Sequence, residues 1–154
     1  MITLPEIHSA TQVRGRSADE LWTIVKNSVA FAPRAGHVVG VSLLPSADQR
    51  HRSTEWTVLL NGSAVTWVQQ ETARPGPRLC FEQTSGDLEQ LTGEWSVSDT
   101  ADGSRVDLTI AFELGVDGLA PLLNPIWAQS FQAHADALLR VLAAYPLDNG
   151  SDQT

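Results

Sequence analysis

Two glutamines, a glutamate and a histidine are the side chains of this sequence best suited to act on a carbonyl compound. In Val65-Thr66-Trp67-Val68-Gln69-Gln70-Glu71, strand alternation puts Gln69 and Glu71 on the face that carries Val65 and Trp67. By the same parity Gln83 shares a face with Leu79 and Phe81. Gln69 and Gln83 can hydrogen-bond the carbonyl oxygens of a ligand, while Glu71 or His37 acts as base. Taking a proton from carbon beside a carbonyl needs a base, and the oxyanion that forms needs a hydrogen-bond donor. A carboxylate in an apolar cavity has its pKa raised by desolvation, which suits that base. His37, just after Gly36, can change protonation near neutral pH and is the preferred base of the two. The competing reading makes all four strand-end polar residues that face solvent or hydrogen-bond internally.

Trp56, Trp67, Trp95 and Trp127 could stack on a flat polycyclic ligand, although any one of them could equally be core. Arg52 and Thr54 share parity with Trp56, toward the strand end. With Phe81, Leu123 and Phe131, Arg52 completes the set of expected ligand contacts. His134 lies beside an apolar helical stripe and reads as a satisfied boundary histidine. The four histidines show no metal-ligand spacing, and there is neither a nucleophile elbow nor a phosphate loop. No metal and no cofactor are expected. Cys80 is the single cysteine and reads as a buried core thiol.

These residues need a scaffold. Ser17 and Glu20 form a capping box that starts a helix, with Leu21, Trp22, Val25 and Val29 at helical spacing and a break near Pro33 and Gly36. A strand from Ile7 to Val13 precedes it. Six strand-like segments follow: His37 to Leu44, Arg50 to Leu60, Ser63 to Thr72, Arg78 to Thr84, Leu91 to Val97 and Ser104 to Leu114. Asn61-Gly62 is the strongest hairpin signal, and the short connections imply an antiparallel meander. Val106, Leu108, Ile110 and Phe112 give the last strand one apolar face, which something must cover. The cover is a helix from Pro121 or Pro125 to Tyr145, whose apolar residues Trp127, Phe131, Ala135, Leu138, Leu142 and Tyr145 recur at steps of three and four. The expected fold is α+β, a curved antiparallel sheet wrapped around a long C-terminal helix. A bent sheet cannot touch a straight helix everywhere, so a ligand cavity is expected between them.

The chain has 154 residues, which suggests one domain over residues 1–146 and a flexible polar tail over 147–154. Its net charge of −8, without a basic patch, argues against nucleic acid and anionic membranes as partners. No segment is apolar enough over enough length to span a bilayer. The start, Met1-Ile2-Thr3-Leu4-Pro5-Glu6, is unlike a signal peptide, so a cytoplasmic location is expected. The oligomeric state is left open.

The stretch Glu55-Trp56-Thr57-Val58-Leu59-Leu60-Asn61-Gly62, then Trp67, Phe81-Glu82-Gln83 with Gly86-Asp87-Leu88, Gly93-Glu94-Trp95 and Leu122-Leu123-Asn124-Pro125-Ile126 resembles the polyketide cyclase/dehydrase branch of the START-like (SRPBCC) superfamily, from about Ile7 to Tyr145. The resemblance implies a helix-grip fold with a deep cavity. It also implies one of two activities. Aromatase/cyclases of the branch fold a poly-β-ketone held on an acyl carrier protein and promote its closure and dehydration, in secondary metabolism such as antibiotic biosynthesis. Members similar to coenzyme Q-binding proteins carry an apolar ligand. Tetracenomycin-type cyclases use an arginine on the strand after the first hairpin, and here Glu71 stands in its place. They also use a tyrosine after the first helical region, where His37 is the nearest polar residue; the single tyrosine here is Tyr145.

The leading expectation is a metal-free cyclase/aromatase-like enzyme acting on a carbonyl-rich apolar intermediate, with an acyl carrier protein as an optional partner. The alternatives are a non-enzymatic carrier of a quinone, polyketide or lipid, and a structural or regulatory protein using the same fold.

Overall fold

The computed structural model describes residues 4–45, 50–116 and 118–146. Strand β1 (Glu6–Arg14) leads through helices α1 (Ala18–Val25) and α2 (Ser28–Phe31) and a 3-10 turn (Ala32–Arg34) to β2 (Val38–Leu44). Then come β3 (Arg52–Leu60), β4 (Ser63–Arg74), β5 (Arg78–Gly86), β6 (Gln90–Thr100), β7 (Gly103–Glu113) and the long helix α3 (Ala120–Ala143). The strands form one seven-stranded antiparallel sheet in the order β1-β7-β6-β5-β4-β3-β2. The first two strands are therefore its two edges, and the short helices carry the chain from one to the other. Residues 1–3 and 147–154, the latter being the expected tail, lie outside the described residues.

Local chemistry fixes the boundaries. The Ser17 Oγ accepts from the Glu20 N–H at 3.1 Å, and the Glu20 carboxylate accepts from the Ser17 N–H at 2.8 Å, which is the capping box expected from the sequence. Asn61 and Gly62 take φ of 52° and 79°, the paired left-handed conformation of a two-residue hairpin, which Gly adopts without penalty. One expectation fails here. The first helix ends at Val25, with Lys26 as its C-cap and a new turn at Asn27. Val29 is consequently on α2 and exposed. The stretch from Leu21 to Val29 had read as one helix because its spacing continues across the break.

The sheet presents one face to α3. Along β7, Val106, Leu108, Ile110 and Phe112 are buried, as are Phe131, Ala135, Leu138, Leu139 and Leu142 on the helix. The first half of α3 packs less: its earliest buried residue is Phe131, while Leu122 and Ile126 are exposed. Gly93 and Phe81 are directly opposite on β6 and β5. A Cβ at Gly93 would come within 2.2 Å of the Phe81 ring and 2.5 Å of the Thr109 carbonyl oxygen. The missing side chain lets Phe81 lie flat over the inner face. No helix among the described residues is long and apolar enough to cross a membrane.

Cys80 corrects the sequence reading. It follows Leu79 and precedes Phe81 on β5, so alternation turns it to the outer face, where it is only partly buried. Its thiol lies 3.5 Å from Glu94 Oε1, and burial together with that carboxylate raises its pKa. An apolar run around a cysteine marks the strand, not the face.

Candidate functional site

Strands β3 and β4 pair in a register that sets Arg52 opposite Glu71, Thr54 opposite Gln69, and Trp56 opposite Trp67. All six side chains share the face turned toward α3. The two indoles stack nearly parallel, 4° apart with centroids 6.0 Å apart. Behind them runs a chain of hydrogen bonds that converges on Glu71. The Trp67 Nε1–H donates to Gln69 Oε1 at 2.8 Å, and Gln69 Nε2 donates to Glu71 Oε2 at 2.8 Å. The Trp56 Nε1–H donates to the Thr54 hydroxyl at 3.0 Å, and that hydroxyl donates to the same Glu71 oxygen at 2.7 Å. Arg52 Nε donates to Glu71 Oε1 at 2.8 Å.

Glu71 is 3% exposed. A buried carboxylate is tolerated only when its lone pairs are met, and here three side chains meet them. Both indole N–H groups are also occupied. The tryptophans therefore turn ring surface, not donors, toward the interior. One donor remains over: Arg52 Nη2 is buried without an acceptor.

Over this wall, α3 brings His134. It is 3% exposed and sits edge-on to Trp56, Trp67 and Phe131, with centroids 6.1, 6.3 and 6.4 Å away. Its Nδ1 lies 2.6 Å from Nε2 of His37, which is half-buried just before β2. Burial keeps His37 below the ordinary histidine pKa. Complete burial, and then the charge of His37, push His134 down to about 3. Both rings are thus neutral at neutral pH, and one proton lies between the two facing nitrogens.

Against the inner face lies a void of about 20 Å³. From the sheet it is lined by Trp56, Trp67, Gln69, Phe81 and Trp95, with Leu91, Leu108 and Ile110. From the helix Phe131, His134 and Leu138 close it. A space of this size holds a water or two, so a larger ligand must part the helix from the sheet to occupy it.

Several expected residues meet here and several do not. Trp56, Trp67, Gln69, Phe81, Trp95 and Phe131 line the void. Arg52 and Glu71 stand just behind it on the same face. Trp127 is half-buried against Phe131, with centroids 6.5 Å apart, but does not line the void, and Leu123 is half-buried earlier on α3. Gln83 has the expected parity, but its Nε2 donates to the Leu88 carbonyl at 2.8 Å, which leaves only its buried Oε1 without a partner. It pairs directly with Gln69 on β4, yet it does not line the void. His37 reaches the void only through His134. That second histidine is central rather than a boundary residue. The signal was in the sequence: three residues after Phe131 and four before Leu138, it lies on the apolar stripe itself. Among the described residues no cluster of three or more His, Cys, Asp or Glu could hold a metal ion.

The fold recurs in solved structures. TTHA0849 from Thermus thermophilus superposes with a TM-score of 0.83 at 20% identity, over 91% of this chain and 95% of that one. The Zhui aromatase/cyclase from Streptomyces sp. R1128 gives 0.79 at 16% identity, over 92% and 93%. Ginseng major latex-like protein 151 from Panax ginseng gives 0.68 at 12% identity, over 91% and 95%. At these identities the likeness is one of fold, the START-like helix grip. No curated protein matches the chain in sequence. The profile of the family described as polyketide cyclase/dehydrase and lipid transport matches residues 15–142, and the chain belongs to that family.

Proposed function

We propose that the protein binds a carbonyl-rich apolar intermediate between α3 and the inner face of the sheet and promotes its intramolecular cyclisation and dehydration. The observation that carries this reading is the mixed character of one small void: a wall of tryptophan and phenylalanine rings with Gln69 and His134 opening onto it. Aromatic walls hold a flat conjugated chain, and confinement in a near-attack geometry supplies much of the rate. The buried, unmatched Arg52 Nη2 is a donor suited to a ligand oxygen once helix and sheet part. Proton removal falls to the histidines. Glu71, with both oxygens committed to Arg52, Thr54 and Gln69, is a clamp for the wall instead. The intermediate arrives free or on an acyl carrier protein, in the cytoplasm, and no cofactor is required by this chemistry.

A second reading, a non-enzymatic carrier, is favoured by one observation: nearly every polar group on the wall is satisfied internally, which leaves mainly ring surface for a ligand. The comparison that separates them is the product distribution from a synthetic poly-β-ketone with no protein, wild type, His37→Ala and Glu71→Gln. An enzyme changes the distribution, and His37→Ala loses that change. A wild type that binds the polyketone yet leaves its products unchanged is a carrier.

A further inference from the structure

The void has one ionisable side chain on its lining, and it is not the histidine that the solvent reaches. His134 lines the space, whereas His37 does not. Their facing nitrogens are 2.6 Å apart and their rings nearly perpendicular, at 85°. We propose that His134 is the proton-transfer residue of this site and that His37 is its outlet, the two forming a relay between the void and the protein's rim. This rests on the carbonyl-ligand reading above.

The proton count supports the relay. Two neutral imidazoles carry two N–H protons on four nitrogens. With the shared proton on His134 Nδ1, its Nε2 carries a free lone pair, and His37 holds its single proton on Nδ1. When His134 Nε2 takes a proton from the α-carbon of a bound 1,3-dicarbonyl, the C–H electron pair passes into the enolate. The shared proton crosses to His37 Nε2, and the half-buried His37 gives up its Nδ1 proton to solvent water. One proton has left the void, both rings are again neutral, and the tautomers have exchanged. The reverse movement delivers a proton to an alkoxide or a departing hydroxide. A lone buried histidine could not serve, because an imidazolium enclosed by Trp56, Trp67 and Phe131 would have to survive without solvation. The relay transfers charge outward as it forms.

The test uses an aryl 1,3-diketone that cannot cyclise. Its binding is followed by tryptophan fluorescence and its proton removal by α-carbon deuterium exchange. Wild type should bind it and accelerate exchange. His37→Ala and His134→Gln should each bind within about threefold of wild type and lose at least about tenfold of the acceleration. Added imidazole should restore His37→Ala, whose outlet is open to the rim, and should not restore His134→Gln. A purely structural role would not give that contrast. Full acceleration in His134→Gln, or no restoration of His37→Ala, overturns the relay. If His134→Gln does not fold by near-ultraviolet circular dichroism, His37→Gln decides. Its amide can reach the same nitrogen but cannot pass a proton, so it must lose acceleration, and retained acceleration overturns the relay. A wild type that binds the diketone without accelerating exchange also overturns the relay while sparing the cavity. A wild type that binds no diketone contradicts the carbonyl-ligand reading itself. In that case, a ¹⁵N coupling across the His37–His134 bridge would still support the shared proton, and its absence would remove it.

Discussion

The carboxylate of Glu71 holds the indole of Trp67 through a single intervening amide, that of Gln69. A second route, through the Thr54 hydroxyl, holds Trp56 to the same carboxylate oxygen. One buried charge therefore orients both rings of the aromatic wall. The wall is as rigid as the ion pair of Glu71 with Arg52 that anchors it, and removing the charge should loosen the rings before it unfolds the sheet.

Glu71→Leu leaves Arg52, Thr54 and Gln69 with donors that have lost their acceptor. Destabilisation of about 2–4 kcal/mol is expected in urea unfolding: the buried Thr54 and Gln69 donors lose their acceptor, while the part-exposed Arg52 is left to solvent. Glu71→Gln keeps the shape but can accept at only one oxygen, and should cost about 1–3 kcal/mol. Equal, small effects from both would show that the network contributes little.

Gln69→Leu exchanges a buried amide for an apolar side chain of similar size. It strands the Trp67 indole N–H in a buried place and removes one donor from Glu71. A loss of about 1–3 kcal/mol should follow, with a broadened Trp67 indole resonance. An unchanged urea midpoint would contradict the hydrogen-bond chain.

Gly93→Ala should be costly although alanine suits a strand better than glycine. The new methyl meets the Phe81 ring and, less avoidably, the backbone oxygen of Thr109. Destabilisation of about 1–3 kcal/mol is expected, with the Phe81 ring displaced. A fully stable variant would mean that β6 shifts freely.

His134 makes stability depend on pH. Its folded pKa of about 3 lies below the ordinary 6.5, so between those values the unfolded chain binds the proton and the folded chain does not. The stabilisation tied to the neutral ring is complete above pH 6.5, falls as the pH drops, and is gone below about 3. The full difference is on the order of 5 kcal/mol. The lowered pKa of His37 acts in the same direction. Between about pH 7 and about pH 4.5, wild type should lose about 2–3 kcal/mol more stability than His134→Gln. Parallel losses would show that His134 protonates without difficulty where it stands.

Periodicity carried most of the fold into view. The alternation of β7, the Asn61-Gly62 turn and the spacing of α3 each follow from burial on one face, which a sequence records directly. Parity also put Trp56, Trp67, Gln69 and Glu71 on the right face. What it does not record is where along that face the helix sits. Gln83 has the correct parity and lies beyond the void, while Trp127 is on the correct stripe but too early in α3. The role of Glu71 was hidden for another reason: its partners Arg52 and Thr54 are on a neighbouring strand, and only the pairing register brings them opposite. His134 was legible in principle, since a histidine within an apolar stripe must find a partner or stay neutral. Its partner is 97 residues away, a contact that no local pattern reports.

The central claim, that carbonyl-rich apolar ligands enter between α3 and the tryptophan wall, is tested most directly by the five indole N–H resonances in ¹⁵N-labelled protein titrated with an aryl 1,3-diketone. Trp56, Trp67 and Trp95 line the void, whereas Trp22 lies on α1 beneath the Lys26 ammonium, 5.2 Å from its ring centre. The account predicts that the resonances of Trp56, Trp67 and Trp95 shift together, saturably, and that Trp22 does not move. Shifts confined to Trp22, or no shift in the three wall tryptophans at saturating diketone, would contradict it.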